Sequence, residues 1–344
     1  MTERGAVLEQ QRLPDSGNRR PAPGRADGSA VAVRLLRTHA LSIGLVAAVV
    51  LFSVLKPEIF PSLDNAQTML RQVAPLAIPA FGLTVVLVMN DFDLSLGAMI
   101  GLGGTTAIVS MSVGGIPPAL AIIIALLVAI AIGSAAGVAV AYAGASSFVI
   151  TLALGTILQG LEYQLSDSRP VFLNIPESYQ QLANGEFLGL SYQVYVALFV
   201  FLVLFVLLEK TEIGRFMYAI GGNIQAARLS GLRVREMRLL GFVIMAVCSA
   251  ISGILLTSQA GQSTPNVGIP YLLPVFAAAF LGSTTFRVGR FNIIGTLVGV
   301  LFLQVVSTGL ILLQLKPAYV NIVQGGILAA SVLLSRLGRK ARHD

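Results

Sequence analysis

The chain has 344 residues, of which 55% are hydrophobic and 11% are charged, and its mean hydropathy is +0.82. This composition excludes an ordinary soluble domain and is typical of a chain that lies mostly in lipid. The net charge of +7 could suggest nucleic-acid binding, but no stripe of aromatic and basic residues accompanies the charges. We therefore predict an integral membrane protein with no nucleic-acid partner.

The first 38 residues differ from the rest of the chain. They contain Pro14, Pro21 and Pro23 together with seven Arg, and they have too few clustered apolar residues to bury a core. We predict a disordered cytoplasmic tail over residues 1–38. The apolar run that follows continues without a cleavage site, so we do not expect a signal peptide.

Ten apolar segments follow the tail, each close to the roughly 20 residues with which a helix crosses a bilayer. They predict an all-α transmembrane domain over residues 39–336, followed by a basic cytoplasmic tail at 337–344. Of the 23 Lys and Arg, 19 lie before the first segment, in 209–238, in 287–290 or after 335. Because positive residues collect on the cytoplasmic side, we expect both termini there and residues 166–191 outside. The segments are 39–55, 72–90, 94–113, 117–142, 147–165, 192–208, 239–258, 271–286, 291–314 and 319–335.

Glycine and proline inside these segments predict packing features. The pairs Gly133/Gly137 and Gly295/Gly299 have the four-residue spacing that lets two membrane helices approach closely, and we expect them to pack within the chain. Pro75 and Pro79 are expected to kink the second segment and to free carbonyl groups. Neighbouring helices or a polar cavity must then satisfy those carbonyls.

The stretch VMNDFDLSLGAM, residues 88–99, places two carboxylates between the second and third segments. Asp93 can cap the third helix by accepting hydrogen bonds from the amides of Ser95 or Leu96, and negative charge is favourable at a helix N-terminus. The alternative is that Asp91, Asp93 and Ser95 line a polar path through the membrane.

Two further residues inside the apolar segments carry ionisable groups. Glu162 lies one turn before the outside loop, where we expect its side chain to extend to the membrane interface; lining a polar path is the alternative. Cys248 is the single cysteine and lies in an apolar run, so we expect it to fill core space. No metal site and no disulfide is predicted.

The inside loop at 209–238 contains the most specific pattern, AIGGNIQAARLSGLRV at residues 219–234. Gly221 and Gly222 provide a flexible turn, and Asn223 can cap a short helix over 224–229 that ends at Gly231. Such a helix could dock into a groove on a cytoplasmic partner. It could equally be an amphipathic connector that Arg228, Arg233 and Arg235 hold at the lipid surface. The candidate docking residues are Gly221, Gly222, Asn223, Ala226, Ala227, Arg228, Leu229, Ser230 and Gly231.

This loop closely resembles the coupling segment of ribose-type ABC transporter permeases, the membrane subunits of carbohydrate importers. Asp93, Leu94, Ser95 and Gly97 match the family stretch G-G-I-D-L-S-x-G, and SSFVITLALGTILQGL at 146–161 matches its P-x-F-I-V-T-L-G region. GTLVGVLFLQVVSTGLILL and VQGGILAASVLL resemble its last two spans. The resemblance covers about residues 40–337.

The resemblance implies a type II-like importer permease in the bacterial cell membrane. It implies a second permease that is a copy or a paralogue, cytoplasmic ATPase subunits that use ATP and Mg, and an extracytoplasmic protein that delivers a sugar or related polar solute. The sequence itself has no G-x-x-x-x-G-K-[ST] phosphate loop, so we expect no ATP site, catalytic residue or cofactor in this chain. The alternative is an ion-coupled transporter in which Asp91, Asp93 and Glu162 bind the ion.

The chain departs from the family pattern beside the Asp93 motif. Asn90 and Asp91 stand where relatives carry glycines, and Phe92 replaces a smaller aliphatic residue. The identity of the solute therefore does not follow from the resemblance. Because the family pattern does not require Asp91, we expect this position to tolerate substitution.

Overall fold

A computed structural model describes the backbone of residues 28–340 and the side-chain environments of residues 39–333. The chain divides into a unit of residues 1–36 and a unit of residues 37–344, and the packing described below belongs to the second. Residues 1–27 and 341–344, which include most of the predicted tails, lie outside the described residues. The described elements are α1 (Gly28–Leu55), α2 (Leu63–Val88), α3 (Leu96–Ser112), α4 (Pro118–Ala141), α5 (Ser147–Leu165), α6 (Glu177–Asn184), β1 (Glu186–Phe187), β2 (Leu190–Ser191), α7 (Tyr192–Lys210), α8 (Glu212–Gly222), α9 (Ile224–Leu229), α10 (Val234–Ala260), a 3-10 turn (Ile269–Tyr271), α11 (Leu272–Gly282), α12 (Ile293–Leu312) and α13 (Pro317–Lys340).

Each predicted apolar segment overlaps one helix of the described chain. Six of these helices, α2, α4, α5, α7, α10 and α12, are long and apolar enough to cross a membrane, and four further apolar stretches are shorter. The fold is therefore that of a helical membrane protein, whereas ten crossings stay a prediction. Helix α1 begins at Gly28 rather than at residue 39, because the run AVAVRLL at 30–36 contains no helix breaker.

Helices α2 and α10 form the centre of the fold. Every residue from Val73 to Val88 in α2 is buried, which is typical of a helix surrounded by other helices rather than by lipid. Helix α10 packs against α2, α3, α4 and α6. The exposed sides of α1, α4 and α7 carry Ile, Leu, Val and Phe, so these helices form part of the surface that faces lipid.

Glycine makes the contacts of α10 possible. A Cβ added to Gly253 of α10 would lie 1.9 Å from the Ile100 carbonyl oxygen of α3, and one added to Gly133 of α4 would lie 2.9 Å from the Phe242 carbonyl oxygen of α10. Gly299 approaches the Ala278 carbonyl of α11 in the same way. The predicted packing of the glycine pairs within the chain is thus confirmed.

The prolines of α2 leave a free carbonyl that α10 satisfies. Pro79 has no N–H to donate to the Pro75 carbonyl four residues earlier, and the Ser252 hydroxyl of α10 donates to that oxygen at 2.5 Å. The expectation that a neighbouring helix would supply the missing hydrogen bond is confirmed.

The two ends of the helix bundle have different chemistry. One end, here called the basic end, contains residues 89–95, 142–146, 209–233 and 283–292. Hydrogen bonds from Asn90 to Gly221 and from Tyr218 to Phe291 join three of these segments. The other, here called the ribbon end, gathers the outside loop with its β1–β2 ribbon and residues 261–268. An Arg71–Glu186 ion pair and a bridge between Val171 and Ser263 join its parts.

We predict that Gly253→Ala lowers the stability of the folded protein by about 1–3 kcal/mol, because the new methyl group overpacks the contact between α10 and α3. Thermal unfolding in detergent measures the effect. Gly326→Ala in α13 is the matched control, since nothing lies within 4 Å of the added Cβ and alanine favours a helix. Equal melting temperatures for the two variants would contradict the packing argument.

Candidate functional site at the basic end

The loop between α7 and α10 is ordered by two capped helices. The Thr211 hydroxyl oxygen accepts a hydrogen bond from the Gly214 amide at 3.3 Å and caps α8. Asn223 Oδ1 accepts from the Gln225 and Ala226 amides, both at 3.0 Å, and caps α9. The predicted short helix with its Asn223 cap is confirmed, and Gly231 takes a φ of 78° after the helix ends.

Most candidate docking residues of this loop face outward. Leu229, at the end of α9, is 90% exposed. Its neighbours on α9 provide a short surface of small and basic side chains. The exposed candidates are Gly222, Asn223, Ala226, Arg228, Leu229, Ser230 and Gly231.

Gly221 and Ala227 do not belong to this outward surface. A Cβ on Gly221 would lie 1.8 Å from the Val88 carbonyl oxygen, so this glycine lets α8 contact the end of α2. Ala227 is 5% exposed and packs against the chain's own core. Their assignment as docking residues is corrected: both hold the loop in place, because the short α9 must bury one side to stay folded.

Hydrogen bonds attach the loop to the helix bundle. The Asn90 side-chain amide donates to the Gly221 carbonyl at 2.5 Å. Asn90 itself has a φ of 60°, which asparagine tolerates better than most residues and which aims its side chain at the loop. The residue that replaces a family glycine therefore links the turn after α2 to α8.

A second attachment joins α7, α8 and the segment before α12. The Arg287 guanidinium lies 2.7 Å from Glu209 Oε2, and the Tyr218 hydroxyl lies 3.0 Å from Glu209 Oε1 and 3.2 Å from the Phe291 carbonyl oxygen. Burial and the nearby Glu209 carboxylate raise the pKa of Tyr218 well above its usual range. The hydroxyl thus stays protonated and able to donate.

The turn between α2 and α3 is built around Asp93. Its Oδ1 accepts from the Ser95 amide at 2.9 Å and from the Ser95 hydroxyl at 2.5 Å, and both residues are buried. The predicted hydrogen bond from the Ser95 amide is present, but Asp93 does not cap α3: Ser95 is the N-cap residue, and no side-chain hydrogen bond caps this helix. Burial raises the pKa of the Asp93 carboxyl, whereas its two hydrogen bonds from Ser95 lower it.

Hydroxyl groups of α5 satisfy the other amides of this turn. The Leu94 amide donates to Thr151 Oγ1 at 2.9 Å, and the Phe92 amide donates to Ser147 Oγ at 3.1 Å. The turn is thereby fixed against α5 although it contains no regular secondary structure.

Asp91 forms a bidentate ion pair with Arg238 at the start of α10. Both distances, Nε to Oδ2 and Nη2 to Oδ1, are 2.6 Å, and Arg238 Nη1 donates to the Val140 carbonyl of α4 at 3.2 Å. The side chains are 5% and 14% exposed. This ion pair argues against the expectation that Asp91 tolerates substitution, because removing Asp91 leaves a mostly buried guanidinium without its counter-charge.

Glu162 lies away from the basic end, and its side chain is buried. It is 1% exposed; its Oε1 accepts from the Asn266 amide at 3.1 Å and from Thr105 Oγ1 at 3.3 Å. The position of Glu162 at the membrane interface stays a prediction. Its side chain is buried because Gly101 of α3 has no side chain: a Cβ there would lie 2.6 Å from the Glu162 carboxylate. The carboxylate occupies that space.

Comparison with known proteins identifies the group to which this arrangement belongs. The family described as branched-chain amino acid transport system / permease component matches residues 65–332, well over half of the chain. The chain belongs to this permease family. The permease is 37% identical over 295 residues to the ribose import permease protein RbsC of Bacillus subtilis (strain 168). The matched region covers 86% of the chain and 91% of the relative.

Other relatives are named for other sugars. The permease is 30% identical to the D-allose transport system permease protein AlsC of Escherichia coli (strain K12), with 85% of the chain and 90% of the relative covered. It is 29% identical to the L-arabinose ABC transporter permease protein AraH of Azospirillum brasilense, with 98% of each covered. No solved structure matches the chain.

These similarities confirm the resemblance to ribose-type permeases over most of the chain. The permease is a multi-pass membrane protein and a transport subunit of the ABC import class. The ion-coupled alternative has no support among the relatives.

The partners of the candidate residues do not follow from the local sequence patterns. The predicted topology puts both Asp91 and Arg238 at inside ends of apolar segments, and this shared position is the sequence feature that points to their pairing. Glu209 and Arg287 share the same feature, since each flanks a predicted segment on the inside. Nothing in the local sequence marked Tyr218.

We predict that Asp91→Ala costs about 3–5 kcal/mol of stability, since it leaves Arg238 buried and unpaired. The double variant Asp91→Ala/Arg238→Met should be more stable than Asp91→Ala alone. Melting temperatures in detergent show which of the two variants is more stable. Glu212→Ala, which removes a partner from the exposed pair with Arg215, is the control and should change stability by at most about 1 kcal/mol. A double variant no more stable than Asp91→Ala would refute the ion-pair argument.

We predict that Asp93→Asn keeps folding and most transport, because the amide oxygen of asparagine can accept both hydrogen bonds from Ser95. Asp93→Leu removes the acceptor and leaves the buried Ser95 amide and hydroxyl unpaired, which should cost about 1–3 kcal/mol of stability, with a loss of assembled protein. Membrane abundance and uptake are the measurements. Normal abundance without uptake in Asp93→Asn would show that the negative charge itself is functional.

Proposed function

We propose that the permease forms the membrane path of an ATP-driven importer for a monosaccharide. Relatives that cover most of the chain are named for ribose import, D-allose transport and L-arabinose transport, and this shared solute chemistry is the observation that carries the proposal. A pentose or hexose is therefore the expected solute class. The described residues contain no cluster of His, Cys, Asp and Glu that could hold a metal.

The proposed orientation has the basic end in the cytoplasm and the ribbon end outside, with ten crossings and both termini inside. The eight Lys and Arg of 209–238 and 287–290 support it, because positive residues collect on the cytoplasmic side. The ribbon end then faces the extracytoplasmic protein that would deliver the sugar.

A cytoplasmic ATPase is proposed to dock on α9. The exposed Leu229 at the end of a capped helix supports this, since an apolar side chain on a short helix can insert into a groove of a partner. A cavity of about 480 Å³ at the basic end, lined by Asn90, Tyr218, Gly222 and Arg290 among others, offers room for partner side chains. ATP and Mg would be bound by that ATPase, and a second permease, copy or paralogue, would complete the path.

Movement of α9 would reach the helix bundle through the bonds described above. Asn90 links α8 to the turn after α2, and the Glu209–Arg287 pair links α7 to the segment before α12. In this proposal Asp91 and Asp93 position the inner ends of helices rather than contact the sugar, because both are engaged within the chain.

Uptake by proteoliposomes tests the proposal. The permease is reconstituted with its ATPase and binding protein, and accumulation of labelled D-ribose, D-allose and L-arabinose is measured with ATP supplied on the ATPase side. We expect uptake of at least one sugar that needs ATP and ignores an imposed proton or sodium gradient. Uptake that follows the ion gradient and needs no ATP would overturn the proposal.

We predict that Leu229→Glu lowers ATPase association and sugar uptake about tenfold or more, as expected for an anchor residue at the centre of a contact, while membrane insertion is unchanged. Co-purification of the ATPase and transport are measured together. Leu188→Glu is the control, because Leu188 is 84% exposed at the ribbon end. Wild-type ATPase association in Leu229→Glu would contradict the docking assignment.

A further inference from the structure

The outer half of α5 carries a polar stripe on its exposed side. Positions 156, 159, 160, 163 and 164 are three or four residues apart and therefore share one helix face. All five are exposed or half-exposed and none is aliphatic. The residues of this stripe are Thr156, Gln159, Gly160, Tyr163 and Gln164.

This face differs from the other exposed helix faces. The inner half of the same side of α5 exposes Phe148, Val149 and Leu152, and the exposed large side chains of α7 include Leu198, Phe199 and Val203. Lipid-facing positions are thus aliphatic or aromatic elsewhere, as hydrocarbon requires. On this side of α5 the change from apolar to polar halfway along the helix indicates that the stripe does not face lipid. The adjoining side of the outer half is apolar and exposes Ile157, Leu161 and Leu165.

The polar groups of the stripe lack partners within the described chain. No hydrogen bond joins the Gln159 or Gln164 side chain to another described residue, and the Thr156 hydroxyl reaches only the Leu152 carbonyl of its own helix, at 3.4 Å. An unpaired amide group in hydrocarbon costs several kcal/mol on transfer scales that allow no hydrogen bonding. These groups therefore need water or a polar ligand.

An unpartnered acceptor lies at the ribbon end of the stripe. The Tyr163 hydroxyl forms a hydrogen bond with the Asn266 side-chain amide, and Asn266 Oδ1 is buried without a hydrogen-bond partner. Donors and acceptors thus continue from α5 to the segment after α10. A sugar offers both donors and acceptors on every hydroxyl group, and its ring can lie against an aromatic side chain.

We propose that this stripe lines the outer half of the sugar path, with Gln159, Tyr163 and Gln164 binding hydroxyl groups as the solute leaves the delivering protein. The assignment rests on the proposed importer function and adds the residues that contact the solute. It differs from a contact between two permeases, which would exclude water from the stripe.

Cysteine accessibility tests the placement without any transport assay. Gln159→Cys and Gln164→Cys are made singly in a Cys248→Ala background, and the assembled transporter is exposed on its ribbon side to the cationic reagent (2-trimethylammonium)ethyl methanethiosulfonate. We expect modification at least about tenfold faster than in Phe199→Cys on α7, because a thiol reacts as its thiolate, which lipid disfavours.

Two outcomes would overturn the proposal. Modification as slow as in the α7 control would place the stripe in lipid. Slow modification with oxidative cross-linking between two copies at position 159 would make it a dry subunit contact. Neither the modification rate nor the cross-linking depends on ATP or on the identity of the sugar. These measurements therefore test the stripe separately from the proposed importer function.

A kinetic experiment then tests the contact with hydroxyl groups. With the sugar that the wild type imports, Gln159→Leu should raise KM about three- to tenfold, the effect of one lost neutral hydrogen bond, with membrane abundance and ATPase association unchanged. Gln159→Asn should restore part of the affinity. An unchanged KM in Gln159→Leu would overturn the assigned contact.

Discussion

The close approach of α10 to α2, α3 and α4 is the contact on which the rest of the structure depends. Inside a bilayer, helices gain no hydrophobic free energy by leaving lipid for each other, so close van der Waals packing and hydrogen bonds must hold them together. Gly253 and Gly133 allow backbones to touch, and Ser252 reaches the Pro75 carbonyl because the helices are that close. At the basic end, the Asp91–Arg238 ion pair joins the start of α10 to the turn after α2.

The two ends of the bundle use the central packing for different chemistry. At the basic end, Asn90 and the Glu209–Arg287 pair connect an exposed helix to the ends of buried ones. At the ribbon end, the buried Glu162 carboxylate binds the Asn266 amide and thereby fixes the segment after α10 beside α5. Helix α10 therefore contacts α9 at the basic end and leads, at its other end, to the segment that Glu162 binds.

Local features were predictable from the sequence because their causes are local. The Asn223 cap, the helix that follows and its end at Gly231 depend on residues within ten positions of one another. The partners of Asp91 and Glu162 were not predictable, since Arg238 and Gly101 are distant in the chain and only the packing brings them together. The inward direction of Ala227 depends on how a six-residue helix lies on the bundle, which its own sequence does not determine.

In the proposed orientation the basic and ribbon ends lie on opposite sides of the membrane, with the basic end in the cytoplasm. Single cysteines at Ser230 and Leu188, placed in a Cys248→Ala background, test this orientation, since both positions are exposed. In right-side-out membrane vesicles, an impermeant thiol reagent should modify Leu188→Cys at once and Ser230→Cys only after the vesicles are permeabilised. Modification of Ser230→Cys in sealed vesicles, with Leu188→Cys protected, would contradict the account.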